Sequence, residues 1–346
     1  MDIGKLPNQV LGQLLARIGC RDPRVVVGPA VGQDAAVIDM GPRLLVAKSD
    51  PITFATDLIG WYAVHINAND VACMGARPAW FLATVLLPQG AGQSLAEGIF
   101  DQILDACRQM GVELVGGHFE ITYRLDRPIV VGAMLGEVER DRLVQGSGAQ
   151  PGDHLILTKG IAIEGTAVLA REAADALRRK GVAADVLETA GGYIFRPGIS
   201  VVREALLAVE KTAVHAMHDP TEGGLATALY EMAEASGVGM QLEEAAVPVL
   251  PATRAVCRAA GLDPLGLLAS GALLIALPPQ DSDRLLAALE EASIAAGRVG
   301  TVTPKDAGVI IEKRDGRRMA LSTFARDEVA RFLAQEGQGN EARGAN

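Results

Sequence analysis

Carboxylates recur along this chain, each beside glycines or at the edge of an apolar run. They stand in Val31-Gly-Gln-Asp34-Ala-Ala-Val-Ile38, Ala47-Lys-Ser-Asp50-Pro51, Asn67-Ala-Asn-Asp70-Val71, Gly116-Gly-His-Phe-Glu120 and His218-Asp-Pro-Thr-Glu-Gly-Gly224. Acids placed this way sit where a strand or helix ends. Such ends gather oxygen ligands for magnesium and backbone N–H groups for phosphate, because magnesium takes octahedral oxygen geometry and is shared between a few carboxylates and substrate phosphates. The chemistry this set points to is nucleotide chemistry.

Single motifs have ordinary readings as well. Asp219-Pro220-Thr221-Glu222 is a good helix start, with Asp at the cap, Pro in the first turn and Glu third. Its functional reading adds that Gly223 and Gly224 allow a ligand close to the helix backbone and that Asp219 holds a metal. The stretch Ile59–Met74 is helical in spacing yet carries His65, Asn67, Asn69 and Asp70, and Asn and Asp are poor helix formers. A solvated polar face is the plain account, and His65 alone reads as structural hydrogen bonding. Gly116 and Gly117 break an apolar strand and place His118 and Glu120 at a sheet edge. Val27–Asp34, with Gly28 and Gly32, reads as a mobile loop able to close over phosphates. Lys48 is a surface lysine or a phosphate neutraliser.

Those motifs need elements to hold them. The chain has 346 residues, long enough that two domains are the default. At 49% hydrophobic, 21% charged and 4% aromatic, it has a core of Ala, Val, Leu and Ile. A net charge of -10 argues against a nucleic-acid partner. The N-terminus lacks a signal pattern and no apolar run reaches the roughly 20 residues of a spanning helix, so a cytoplasmic protein without membrane contact is expected. Cys20, Cys73, Cys107 and Cys257 form no C-x-x-C pair, which supports neither zinc nor a disulfide framework.

Helices are expected over Leu6–Ile18 and Ile59–Met74, and from a Ser94–Glu97 capping box to Met110. Strands are expected at Ala35–Asp39, Leu44–Lys48, Ala79–Leu87, Val112–Val115 and Pro128–Leu135. Pro151-Gly152-Asp153 marks a domain boundary, giving domains 1–150 and 151–335 and a disordered tail, 336–346. In the second, a strand over Leu155–Thr158 precedes helices from Glu164 to Lys180, Gly198 to Lys211 and Leu225 to Ser236. No G-x-x-x-x-G-K-[ST] occurs.

Taken together, the five motifs resemble those of the aminoimidazole-ribonucleotide (AIR) synthetase, or PurM, superfamily of ATP-dependent enzymes, in the family's order from Gly28 to about Gly271. That superfamily includes thiamine-phosphate kinase, selenophosphate synthetase, formylglycinamidine ribonucleotide synthetase and the HypE-type hydrogenase-maturation dehydratase; the wording here is most similar to the HypE-like branch. The resemblance implies a two-domain PurM-like fold: an N-terminal α+β domain whose sheet forms a dimeric β-barrel, and a C-terminal α/β domain. It further implies ATP and magnesium as cofactors, with Asp34, Asp50, Asp70 and Asp219 as metal ligands. Asp50, Asp219, His118 and Glu120 are the expected catalytic residues. Gly28, Gly32, Lys48, Asn69, Gly116, Gly117, Thr221 and Gly223 are expected to bind the nucleotide. His118 stands where several relatives are acidic.

The expected reaction is attack of a substrate oxygen on the ATP γ-phosphate, with positioning and charge neutralisation supplied by the protein. The HypE branch carries its substrate on a C-terminal cysteine, whereas the last cysteine here is Cys257. A small-molecule acceptor, or one borne by a partner protein, is therefore expected. A kinase in the manner of thiamine-phosphate kinase and a non-catalytic ATP-binding maturation scaffold are the alternatives.

Overall fold

The computed structural model describes residue 6 and residues 8–344, with side chains described from residue 10 to residue 336 after the first helix begins. The chain divides into two compact units: Gly19–Pro29 with Asp34–Leu143, and the described residues up to Ile18 with Ala30–Gln33 and the chain from Val144 onward. The boundary thus falls at 143/144 rather than after 150, and the first helix, α1 (Asn8–Leu15), groups with the C-terminal unit. The turn at Pro151–Asp153 lies within the C-terminal unit, where Asp153 accepts the Gln150 N–H and binds His215.

The N-terminal unit is a six-stranded sheet backed by two helices. Its strands are β1 (Val25–Val27), β2 (Ala36–Asp39), β3 (Leu44–Ile52), β4 (Arg77–Pro88), β5 (Glu113–Thr122) and β6 (Ile129–Val138), in the order β1-β2-β3-β6-β4-β5. Only the β4–β5 pair is parallel. On β6 and most of β4, buried residues alternate with half-exposed ones, the signature of a sheet with one covered face. That face carries α2 (Ile59–Cys73), buried along nearly its whole length, and α3 (Gln93–Met110), which buries only Ile99, Ile103, Ala106 and Cys107.

Two local expectations fail here. Ser94 and Glu97 form no capping box: α3 begins at Gln93 after Gly92, and Glu97 accepts from the Gln93 amide at 2.7 Å instead. The strand after Val112 does not stop at Gly116 but runs to Thr122. A Cβ on Gly117 would collide with the Ala83 carbonyl, so glycine is what lets β5 pair closely with β4.

The C-terminal unit holds a seven-stranded sheet, β13-β12-β9-β11-β7-β10-β8. Its strands are β7 (His154–Thr158), β8 (Ala216–His218), β9 (Gly239–Glu243), β10 (Leu274–Leu277), β11 (Ala296–Thr303), β12 (Val309–Glu312) and β13 (Arg318–Ala320). Strands β7 and β10 read as continuous apolar runs and are buried on both faces. The helices are α4 (Ile163–Glu172), α5 (Ala174–Arg179), α6 (Ala184–Gly191), α7 (Val202–Lys211), α8 (Gly224–Ser236), α9 (Pro251–Ala260), α10 (Pro279–Glu291) and α11 (Glu328–Gly344). The helix expected from Glu164 to Lys180 is thus two, parted at Ala173, and α7 begins only at Val202. Helix α11 runs through most of the tail expected to be disordered; its last two residues lie outside those described. No helix among the described residues is long and apolar enough to cross a membrane.

Candidate active site

In the N-terminal unit the sheet and α2 bring four of the polar residues together. Strand β3 carries Lys48 and Asp50, and α2 carries Asn67 and Asp70. Lys48 Nζ lies 3.6 Å from Asp50 Oδ2 and 3.3 Å from Asp70 Oδ2, so one ammonium is shared by two carboxylates. Asn67 fixes Asp50 from behind: its carboxamide oxygen accepts the Asp50 N–H at 2.8 Å, and its Nδ2 donates to the Asp50 carbonyl at 3.2 Å and to Ala63 O at 2.8 Å. Gly132 on β6 faces Asp50 across the sheet, and a Cβ there would overlap the Asn67 amide. The glycine therefore admits the side chain that locks Asp50.

This geometry rules out a solvated polar face on α2. Asn67, Asn69 and Asp70 are buried, with Asn69 fully so, and Asp34 is buried as well. His65 stacks on Trp61, ring centroids 4.2 Å apart, and its Nδ1 donates to the Trp61 carbonyl at 2.9 Å, the structural role its sequence context suggested.

The remaining members of this half lie on the outer strand. His118 Nε2 approaches Glu120 Oε2 at 3.4 Å, both side chains more than half exposed, next to Gly116 and Gly117 on β5. Gly28 packs near Cys20 and Val25.

The C-terminal unit holds the other acids. Asp219 follows β8 and is 1% exposed. It does not cap a helix: α8 is preceded by Gly223 in left-handed conformation, φ 79°, and begins at Gly224, one residue before the expected Leu225 and five past Asp219. The cap therefore gives no account of Asp219. Thr221 O accepts N–H groups from Gly224 at 3.0 Å and Ala269 at 3.3 Å, which folds the Asp219–Gly224 loop against the segment Leu265–Gly271. The Gly223 N–H is engaged by Asp327 Oδ2 at 2.7 Å. Gly32 rests on the backbone of α8 at Glu231, so that end of the expected mobile loop is held down.

Two acids beside this loop escaped sequence reading. Glu164, in the first turn of α4, is pushed up to about 8 by burial; the Ser270 hydroxyl opposes the shift and the charges of Asp327, Asp219 and Glu222 add to it. Asp327 is pushed up to about 7 by burial, against backbone N–H groups of Gly223, Val329 and Leu268 that favour its charge. Next to Asp219, His218 Nε2 pairs with Glu231 Oε2 at 3.1 Å in a buried setting. In sequence, a helix's first-turn Glu and a cap Asp look ordinary; only packing reveals their burial.

Two folded units, each with buried acids, make an architecture of known type. The family described as AIR synthase related protein matches residues 32–138 with its N-terminal domain and 150–313 with its C-terminal domain, and the chain belongs to that family. Within it, relatives include a putative hydrogenase expression/formation protein of Methanocaldococcus jannaschii, 32% identical over 83% of this chain and 84% of that protein. The carbamoyl dehydratase HypE of Cupriavidus necator is 34% identical over 78% and 77%. Among solved structures, hydrogenase maturation protein HypE in complex with ATP matches with a TM-score of 0.71 and 27% identity, covering 95% of this chain and 98% of that one. Thiamine monophosphate kinase from Aquifex aeolicus shares the fold, with a TM-score of 0.66 and 20% identity over 83% and 92%.

Proposed function

We propose that the chain is an ATP- and magnesium-dependent enzyme that activates an acceptor oxygen through the γ-phosphate of ATP. The observation that carries this reading is Lys48 held between Asp50 and Asp70, with Asp50 locked by Asn67. A surface lysine would need no such scaffold. The ATP complex of a HypE relative supports the nucleotide, and the dehydratase relatives support enzymatic turnover.

The donors of each unit fit magnesium: Asp34, Asp50 and Asp70 in the N-terminal unit, and Asp219 in the C-terminal one, offer carboxylate oxygens, the hard ligands that ion takes. When bound, magnesium supplies neutralisation of phosphate charge and alignment of the γ-phosphorus. Lys48 is placed to add a further positive charge for the phosphates, and Asn67 keeps the Asp50 backbone from shifting as that charge develops. On β5, His118 offers an imidazole to take up the acceptor's proton, its Nε2 standing 3.4 Å from Glu120 Oε2.

Neither Cys107 nor Cys257 is suited to carry the acceptor. Burial, with nearby acids, pushes the Cys257 thiol up to about 12 and the Cys107 thiol up to about 11, and neither forms the thiolate that carries a substrate. A carboxamide or related carbonyl, free or borne by a partner protein, fits the dehydratase relatives. The same inert thiols favour a second reading, a small-molecule kinase, which needs no carrier. A homodimer is supported by β5 at the sheet edge, with Val115, Phe119, Ile121 and Tyr123 exposed, and by the half-exposed face of β6.

The test is thermal melting with ATP, with and without magnesium, followed by phosphate release against panels of carboxamides, carboxylates and phosphorylated metabolites. Magnesium-dependent stabilisation by ATP is expected, lost in Asp50→Asn and Asp219→Asn. No shift at millimolar ATP would sink the nucleotide reading. A phosphorylated product that accumulates selects the kinase, and binding without any turnover selects the maturation scaffold.

A further inference from the structure

The loop that carries Asp219 is fastened to a residue more than a hundred positions away. Asp327 stands just ahead of α11 and is 4% exposed. Its Oδ1 accepts the Val329 N–H at 2.7 Å, which caps α11, while its Oδ2 accepts the Gly223 N–H at 2.7 Å. The Leu268 N–H is a third donor to the same carboxylate. One side chain thereby joins the Asp219–Gly224 loop, the Leu265–Gly271 segment and the start of α11.

Neighbouring contacts hold the C-terminal segment in place. The Tyr230 hydroxyl on α8 donates to the Leu321 carbonyl at 2.7 Å, Glu328 accepts the Asp263 N–H at 3.1 Å, and Arg331 donates to the Gly261 carbonyl at 2.8 Å. Val329, Ala330 and Phe332 are buried behind it.

A helix cap needs one oxygen, and serine supplies it as well as aspartate does. Burying a carboxylate is far more costly than burying a hydroxyl. The second oxygen therefore requires its own reason, and its bond to Gly223 gives one. Gly223 and Gly224 both hold left-handed conformations, with φ of 79° and 63°, and a Cβ at Gly224 would press on the Leu267 carbonyl at 2.8 Å. Such a turn is kept in one geometry by bonds from outside itself.

We propose that Asp327 is a positioning residue for the Asp219–Gly224 loop, so that the C-terminal segment from Leu321 to Phe332 is a working part of the nucleotide end of this unit. The inference rests on the reading of that loop as phosphate- and metal-facing. With its N–H given to Asp327, Gly223 contributes shape to the loop, and the side chain of Asp219 is what the held turn presents.

Asp327→Ser separates the two roles, because serine keeps the cap on Val329 but is too short to reach Gly223. Its melting temperature should stay within a few degrees of wild type, while the Kd for ATP with magnesium rises about tenfold, the scale of one lost hydrogen bond to a charged group. Amide exchange at Gly223 should speed by a similar factor. Asp327→Asn, closer in volume, should weaken ATP in the same direction and serves if the serine variant does not fold. An unaltered Kd in Asp327→Ser, measured where Asp219→Asn abolishes binding, overturns the proposal. If wild type binds no ATP, the phosphate reading fails by itself, and unchanged exchange across residues 219–224 in Asp327→Ser then decides against the positioning role.

Discussion

Asn67 binds the backbone of Asp50 in both directions, accepting its N–H at 2.8 Å and donating to its carbonyl at 3.2 Å. A helix side chain here takes the place of a neighbouring strand. It fixes Asp50 at the end of β3, where Lys48 links it to Asp70.

Removing that link should cost both stability and binding. In Asn67→Ala the Asp50 N–H and carbonyl lose their partner, a loss of about 1–3 kcal/mol. Thermal melting should show it, and the magnesium-dependent ATP shift should shrink further than stability alone requires. An unchanged shift would mean that Asp50 needs no lock.

Gly132→Ala tests the same contact from the other side. The added methyl meets the Asn67 amide and the ring of Phe81, and overpacking of this kind costs about 1–3 kcal/mol. Pairing the change with Asn67→Ala should recover part of the loss, since the two sites share one volume.

Lys48→Met keeps the length of the side chain and removes its charge. With two carboxylates left facing each other, ATP without magnesium should bind roughly tenfold more weakly, while the dependence on magnesium steepens. Calorimetric titration at two magnesium concentrations separates the two effects.

Glu164 predicts a pH dependence of stability. Its folded carboxyl holds its proton up to about 8, whereas the same group exposed to water loses it at 4.5. Between these values the folded chain carries a proton that the unfolded chain has lost, so stability falls as pH rises through the window and levels off above it. Asp327 acts in the same direction up to about 7. Glu164→Gln should flatten the decline and melt several degrees higher than wild type at pH 8.5; melting curves parallel to wild type from pH 5 to 9 would contradict the assignment.

Ile121→Lys places a charge on the exposed edge strand β5. If that strand joins two copies, the variant should elute as a monomer in size-exclusion chromatography with its own fold intact. Co-elution with wild type would move the dimer contact elsewhere.

The acids were legible because each breaks a local rule: Asp70 and its asparagines sit in a helix they do not favour, and Asp50 precedes a proline, although β3 runs on through Pro51 to Ile52. Asn67 stood out for the same reason, but its partner lies 17 residues away on a strand, and composition holds no record of that pairing. Strand β5 was misread because two glycines usually interrupt a strand, whereas the close approach to β4 demands one of them. The capping box at Ser94 and the cap at Asp219 failed alike: the side chains suit the role, and the helices start elsewhere. Glu164 and Asp327 were invisible because burial is decided by what packs around a carboxyl, not by its neighbours in the chain.

The gap left at Gly132 also sets a dimension. Since the Asn67 amide fills it and grips Asp50 in the same gesture, α2 cannot slide along the sheet without breaking that grip, and Asp70 rides on the same helix. The separation of the two acids is therefore gauged from inside the core, like a calliper whose jaw is a missing methyl group, and changes on the surface of this unit should leave it unaltered.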